Sequence, residues 1–294
     1  MTADWIHRKR IRIGRAHIGA RMIISAAAVL LLLPILITVL YSFFSPEEIK
    51  SYMATRNNYT GKTVMEIRLI PHMASLMQYY RVMITDREIL HYFCNSALYA
   101  IAIIAGQLLI LPALAYGLSC FRFRGRDAIA FGIVLLMVLP FQVTMVPNVL
   151  MLRTMNLLNT PWALILPMLG MPFMAFLLRQ YMVNIPGETL EAAQIDSAGP
   201  LQCFLRIVLP MSKPVIGTMV ALSFAECWNL VEQPLVYLQQ REDLYPLSVV
   251  FGQLTRKMTG IEFAGAALFI LPALFVYLVF RDDIMEGIQV AELK

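Results

Sequence analysis

The chain has 294 residues, of which 59% are hydrophobic and only 15% are charged. An average soluble domain has about 25% charged residues, so this composition excludes a purely soluble fold and predicts that lipid is part of the solvent. The net charge of +5 comes from short basic clusters beside apolar runs, which favours membrane topology signals over a nucleic-acid-binding face.

Six apolar segments are long enough to cross a bilayer core of about 30 Å as helices. They cover residues 21–44, 93–118, 128–150, 161–180, 214–238 and 261–280. The first could be a signal peptide, because basic residues precede it. Its apolar run is too long for that and no small-residue cleavage site follows, so we expect a retained helix. The prediction is an all-α polytopic membrane protein with six transmembrane helices.

Basic residues orient these spans. Residues 1–20 form a basic segment, and Arg122, Arg124 and Arg126 form a second cluster, so the positive-inside rule places both in the cytoplasm. The membrane domain then covers 21–280, with an extracytoplasmic loop at 45–92, a cytoplasmic loop at 181–213 and a cytoplasmic tail at 281–294. Both termini are predicted inside.

Several spans contain polar residues that lipid would penalise. Such side chains need hydrogen-bond partners or water, so they predict a bundle interior or a wet cavity. On an ideal helix Glu226, Asn229 and Gln233 share one face, while Trp228 and Glu232 share the opposite one. Either face could line a path for a solute. The candidates for such a path are Gln142, Asn148, Glu226, Trp228, Asn229, Glu232 and Gln233.

The cytoplasmic stretch "EAAQIDSAGPLQCFLRIVLP" has the character of two short helices joined by a turn. Acidic Glu188 and Glu191 suit the first turns of a helix, and Ala192 and Ala193 offer a small surface to another protein. After the turn a second amphipathic helix is expected to end before Pro210. Its apolar positions are Leu201, Phe204, Leu205 and Val208.

The spacing of Glu191-Ala192-Ala193 and Ile207-Val208-Leu209-Pro210 resembles the signature of membrane subunits of ATP-binding-cassette importers. Ser197 stands where that signature usually has glycine. If this position needs a positive φ, serine costs about 1 kcal/mol, although Gly199 could let the turn form later. "SLMQYYRVM", "LPFQVTMVPNVL", "FLLRQYMVNIP" and "WNLVEQPL" resemble the carbohydrate-uptake, maltose-type branch; the C-terminal tail lacks that branch's terminal glycines.

The resemblance implies a non-catalytic permease subunit for a sugar or oligosaccharide in the bacterial cytoplasmic membrane. It implies a second similar permease subunit, two ATPase subunits that carry the ATP and Mg²⁺, and an extracytoplasmic solute-binding protein. No cofactor is expected on this chain. The ATPase-coupling residues would be Glu188, Glu191, Ala192, Ala193, Asp196, Ser197, Ala198, Gly199, Ile207 and Pro210.

Other functions have weaker support. "YTGKT" at 59–63 suggests a phosphate-binding loop, but that pattern requires glycine where Arg56 stands. A secondary transporter would call for an inverted repeat with broken helices, and none is found. A non-transporting scaffold leaves the polar span residues unexplained, and a non-sugar solute stays an alternative. The four cysteines lie far apart, which indicates free packing thiols and neither zinc nor a disulfide framework: Cys94, Cys120, Cys203 and Cys227.

Overall fold

The computed structural model describes residues 15–57, 70–85, 87–257 and 261–292, and within these ranges every regular element is helical. The predicted basic segment before residue 15, the "YTGKT" sequence and the last two residues lie outside them. The helices are α1 (Arg15–Tyr41), α2 (Pro46–Asn57), α3 (Met77–Tyr80), α4 (Arg87–Cys120), α5 (Arg126–Val138), α6 (Phe141–Thr154), α7 (Trp162–Leu169), α8 (Pro172–Met182), α9 (Gly187–Ile195), α10 (Pro200–Cys203), α11 (Leu209–Met211), α12 (Lys213–Trp228), α13 (Glu232–Tyr237), α14 (Leu247–Lys257) and α15 (Glu262–Glu292). Single π-helical turns cover Arg81–Thr85 and Phe204–Val208, and a 3₁₀ turn covers Glu242–Leu244.

Four helical units of the described chain are long and apolar enough to cross a membrane. They are Arg21–Tyr41, Glu88–Cys120, Trp162–Met182 and Glu262–Gly287. Two further candidates are bent: α5 with α6, and the α10–α11 segment with α12. With each bent pair counted as one span the total is six, and the predicted all-α polytopic class is confirmed.

The third predicted span is not one straight helix. α5 and α6 meet at 109°, because Leu139 and Pro140 are extended between them. Proline disfavours the α conformation of the residue before it, and it has no N–H to continue the helical bonding. The expectation of a single helix over 128–150 was therefore wrong, and Gln142 and Asn148 belong to a separate helix, α6.

The fifth and sixth spans also depart from the prediction. α12 ends at Trp228 and α13 begins at Glu232, so the segment 214–238 contains a non-helical break. The helical faces deduced for Glu226 and Glu232 assumed a continuous helix and do not hold. α15 continues without interruption to Glu292, so the predicted tail starts as an extension of the last span.

Helix α4 is the centre of the bundle and packs against α7, α8 and α12. One apolar cluster joins Ile103 of α4 to residues that include Leu164 and Trp228. A second joins Leu111 of α4 to residues that include Leu178 and Met219. Both clusters are almost fully buried, so a continuous core runs along α4 and holds α12 in place.

Helices α12 and α15 are in close contact at two glycines, Gly217 and Gly287. A Cβ atom added to Gly217 would lie 2.7 Å from the Asp283 Cβ, closer than real side chains come. The Thr218 hydroxyl lies 2.8 Å from the Asp283 carbonyl oxygen and 2.9 Å from the Pro214 carbonyl oxygen, and shares its proton between them. Gly287 faces this same hydroxyl. Glycine therefore permits a contact that locks the two helices together.

Helix α1 covers little of the core, since none of its most apolar 18-residue window is buried. It is attached at one end through Gln78, which is fully buried. The Gln78 amide donates to the carbonyl oxygens of Tyr41 and Phe44 at 2.8 Å, and its oxygen accepts from the Ala264 N–H at 3.2 Å. This side chain connects the end of α1 to the start of α15.

Candidate functional site

The segment between α8 and α12, residues 183–212, forms a folded loop with an exposed outer side. α9 begins at Gly187, directly after Pro186, and carries Glu188 in its first turn, where an acid complements the helix dipole. After a tight turn the chain continues through α10, a π-helical turn and α11 into α12. The part of the loop from Pro200 to Met211 is bent by 73° relative to α12, so it runs across the direction of that helix.

The turn after α9 has left-handed backbone geometry at Ser197, whose φ is 62°. The Ala198 N–H donates to the Ala193 carbonyl oxygen at 2.9 Å, a bond typical of a Schellman helix end. Gly199 has φ −67° and is extended, so it does not take over the turn. Ser197 therefore has the positive φ at which strain was expected, because only glycine adopts this geometry without steric cost.

The exposed side of the loop is both acidic and apolar. Glu188, Glu191, Ala192 and Asp196 are exposed on α9 and its end. Three large apolar side chains are exposed beside them: Ile195 (84%), Leu201 (68%) and Leu205 (51%). Ile195 was not among the residues predicted from sequence, although its position four residues after Glu191 puts it on the same helical face.

Two expectations for this loop need correction. Ala193 is only 8% exposed, so it packs inward and cannot form part of an exposed docking surface. The second helix does not stop before Pro210, because a π-helical turn at Phe204–Val208 lets the chain continue through Pro210 to Met211. Leu201 and Leu205 are exposed while Val208 is buried, so the apolar residues predicted to share one face lie partly on the surface and partly in the core.

Two tyrosines that sequence reasoning missed attach the loop to the bundle. The Tyr116 hydroxyl of α4 donates to the Pro200 carbonyl oxygen at 3.1 Å, and its ring stacks on Phe204 with centroids 5.1 Å apart. The Tyr181 hydroxyl of α8 donates to the Met211 carbonyl oxygen at 3.2 Å. Each end of the α10–α11 segment is thus bonded to a different core helix.

The structure brings two of the predicted path residues together across the helix breaks. The Gln142 amide nitrogen at the start of α6 donates to a Glu232 carboxylate oxygen at the start of α13, at 3.1 Å. Both side chains are exposed in the single chain. The pairing depends on the breaks at Pro140 and at 229–231, neither of which an ideal helix would contain.

The other polar path candidates differ in their exposure and partners. Asn229 donates to the Ala225 carbonyl oxygen of its own helix at 2.9 Å and remains exposed, as does Glu226. Asn148 and Gln233 are half-buried. Exposed carboxylates and amides beside apolar helices require water or another protein as their surroundings, since lipid would penalise them.

Trp228 belongs to the core. It is 2% exposed, its indole N–H donates to the Phe269 carbonyl oxygen at 3.0 Å, and its ring stacks between Phe224 and Phe269. Phe93 meets it edge to face. Trp228 is therefore unable to offer a free aromatic platform in this structure, and its assignment to the path is corrected.

At the end of the bundle opposite the loop, charge is neutralised locally. Arg241 donates two hydrogen bonds of 2.8 Å to the Asp243 carboxylate, and these bonds lower the pKa of Asp243. His91 and Asn95 of α4 bond the Asp243 carbonyl oxygen. In the ranges with described side chains, no three His, Cys, Asp or Glu residues converge as a metal site would require.

Comparison with known proteins decides the family. Residues 109–282 match the family described as the binding-protein-dependent transport system inner membrane component, which is more than half of the chain. The chain belongs to this family. The match to this inner membrane component includes α5 to α13, and therefore contains both the 183–212 loop and every path candidate.

Individual relatives of this inner membrane component are permeases of named transport systems. The arabinooligosaccharides transport system permease protein AraQ of Halalkalibacterium halodurans is 29% identical over 206 residues, 69% of this chain and 74% of that protein. The sn-glycerol-3-phosphate transport system permease protein UgpE of Yersinia enterocolitica is 34% identical over 142 residues, 48% of this chain and 50% of that protein. A crystal structure of a bacterial ABC transporter involved in alginate import shares the fold, with TM-score 0.75, 23% identity and coverage of 90% of this chain and 95% of that one.

Replacing Ser197 with glycine should stabilise the turn by about 1 kcal/mol, because glycine has no Cβ to strain at positive φ. Slower hydrogen exchange of the Ala198 amide, whose bond to Ala193 closes the turn, would report this gain. Gly199→Ala is the control: Gly199 has ordinary φ and open space around it, so no gain is expected. Unchanged or faster exchange in Ser197→Gly would show that the turn carries no strain.

Proposed function

We propose that this inner membrane component is the permease subunit of an ATP-driven importer for a sugar or oligosaccharide. Separate ATPase subunits would bind the 183–212 loop, a second similar permease subunit would complete the path, and a solute-binding protein would deliver the substrate from outside. ATP and Mg²⁺ would be held by the ATPases. The chain would lie in the bacterial cytoplasmic membrane with the loop and both termini in the cytoplasm.

The observation that carries this proposal is the construction of the 183–212 loop. It exposes Ile195, Leu201 and Leu205, which have no reason to face water unless another protein covers them. The same loop also exposes Glu188, Glu191 and Asp196, so its surface is less suited to lipid than to a protein groove. The inner side is bonded to α4 and α8 and leads directly into α12, so a push on the outside would reach the core helices.

The path proposal rests on Gln142, Glu226, Asn229 and Glu232. Their side chains are exposed on the single chain, and they are polar groups that bind hydroxyls. Asn148 and Gln233 would lie at the margin of this surface. Sugar is favoured as the substrate class because the similar protein AraQ is the permease of an arabinooligosaccharides transport system. A partner subunit that covers part of the surface would convert it into a closed cavity.

Ala192→Arg should abolish both ATPase co-purification and ATP-driven uptake, because a long charged side chain would stand in the middle of the docking surface. Ala192 is exposed, so the fold and membrane insertion should be unaffected. Ala128→Arg is a matched control, since Ala128 is an exposed helical alanine in the first turn of α5.

We expect the control to retain the ATPase and the transport activity. An Ala192→Arg transporter that still binds its ATPase and imports substrate at the normal rate would remove the loop from the mechanism. Uptake that follows an ion gradient in the absence of ATP would instead identify a secondary transporter.

Glu226→Gln should change the substrate preference of the assembled transporter while leaving the complex intact, because it removes a charge without changing the shape of an exposed side chain. Competition between neutral and acidic sugars for uptake measures this preference. Glu242→Gln, an exposed acid in the 3₁₀ turn, is the control and should leave the preference unchanged. If Glu226→Gln dissociates the partner subunit and residual uptake keeps its specificity, Glu226 is an interface residue.

A further inference from the structure

Two of the four thiols line one cavity between the 183–212 loop and the core. Cys120 at the end of α4 and Cys203 at the end of α10 border a partly open cavity of about 220 Å³, together with Tyr116, Leu190 and Pro200. Cys203 is buried and Cys120 is half-buried. From the sequence alone Cys120 and Cys203 were predicted to be free packing thiols, since 82 residues lie between them along the chain.

Tyr116 brings the two thiols towards each other. It lies one helical turn before Cys120 on the same face of α4. Its ring stacks on Phe204, the residue after Cys203, and its hydroxyl is bonded to Pro200. Both thiols are close enough to interact electrostatically with this hydroxyl. One aromatic side chain thus contacts the immediate surroundings of each cysteine.

The two backbone segments that carry these thiols approach each other beside the cavity. Cα atoms of α4 and of the π-helical turn that follows Cys203 come within 8 Å of each other. A disulfide needs Cα atoms about 4.4–6.8 Å apart, and the cavity provides the space into which the loop can close.

We propose that Cys120 and Cys203 form an oxidation-sensitive pair, whose disulfide fixes the 183–212 loop to the end of α4. The link itself depends only on the geometry of this chain. Its effect on transport rests on the proposed function, in which the loop follows the ATPase. In the reduced chain this end of the loop is held to α4 by one hydrogen bond and one ring stack, which can adjust as the loop moves. A covalent bond would remove that freedom, and import would stop until the bond is reduced.

Hydrogen peroxide is the oxidant that we propose for this pair. The more accessible Cys120 thiolate attacks a peroxide oxygen, the O–O bond breaks, and a sulfenic acid and water form. The Cys203 thiol then attacks the Cys120 sulfur, the S–O bond breaks, and a second water leaves. Two thiols lose two electrons and two protons to the peroxide. A reducing cytosol would keep the pair open under ordinary conditions.

The test treats the full transporter in membranes with hydrogen peroxide and maps its peptides without reduction. A Cys120–Cys203 linked peptide is expected, uptake should fall in step with the linked fraction, and dithiothreitol should restore it. Cys120→Ser should prevent both the link and the loss of uptake, and Cys203→Ala should do the same, because the disulfide needs both thiols. Cys94→Ser and Cys227→Ser are controls that should remain sensitive.

Each alternative outcome has a distinct meaning. The proposal is overturned if exposed Cys94 is oxidised while no Cys120–Cys203 peptide appears. It is also overturned if linked chains import at the normal rate. If the link forms in the chain but no ATP-driven uptake exists in any sample, the modification site stands and the proposed function fails.

Discussion

The structure depends on the hydrogen-bonded continuity between the 183–212 loop and α12. The Ser212 N–H donates to the Val208 carbonyl oxygen and the Ile216 N–H donates to the Ser212 carbonyl oxygen, both at 2.9 Å, so bonding continues across the 73° bend. Val208 and Ser212 are fully buried at this joint. α12 in turn lies against α15 at Gly217, with no space between them for a side chain. The loop, α12 and α15 therefore form one mechanical unit.

This unit explains why broken helices suit the chain. Unbroken helices would bury their polar residues in lipid or hold them apart, whereas breaks at Pro140 and at 229–231 let Gln142 meet Glu232. The freed backbone groups near a break need partners, which a wet cavity or a second subunit supplies. Motion of the unit would change the surface that carries these groups, so the docking loop and the path would be coupled through α12.

Local rules predicted much of this molecule and tertiary packing decided the rest. The apolar runs indicated the helices, and the signature spacing identified the loop and the strained position of Ser197, because both are properties of short segments. The orientation of Trp228 and the burial of Ala193 depend on neighbours that are distant in sequence, such as Phe269 for Trp228. A helical wheel does not include such neighbours.

The break at Pro140 could have been predicted from the restriction that proline places on Leu139. The continuation through Pro210 required a π-helical turn that no residue pattern indicated.

The most direct test of the mechanical unit is a distance between spin labels at Arg206 in the loop and Leu274 on α15, both of which are exposed and neither of which belongs to the proposed docking surface. The distance should be measured in the assembled transporter with and without ATP, in a sample that still imports substrate. A loop rigidly joined to α12 and α15 predicts the same distance distribution in both states. A distribution that shifts when ATP binds would contradict it, because the loop would then move independently of the helices that it is thought to drive.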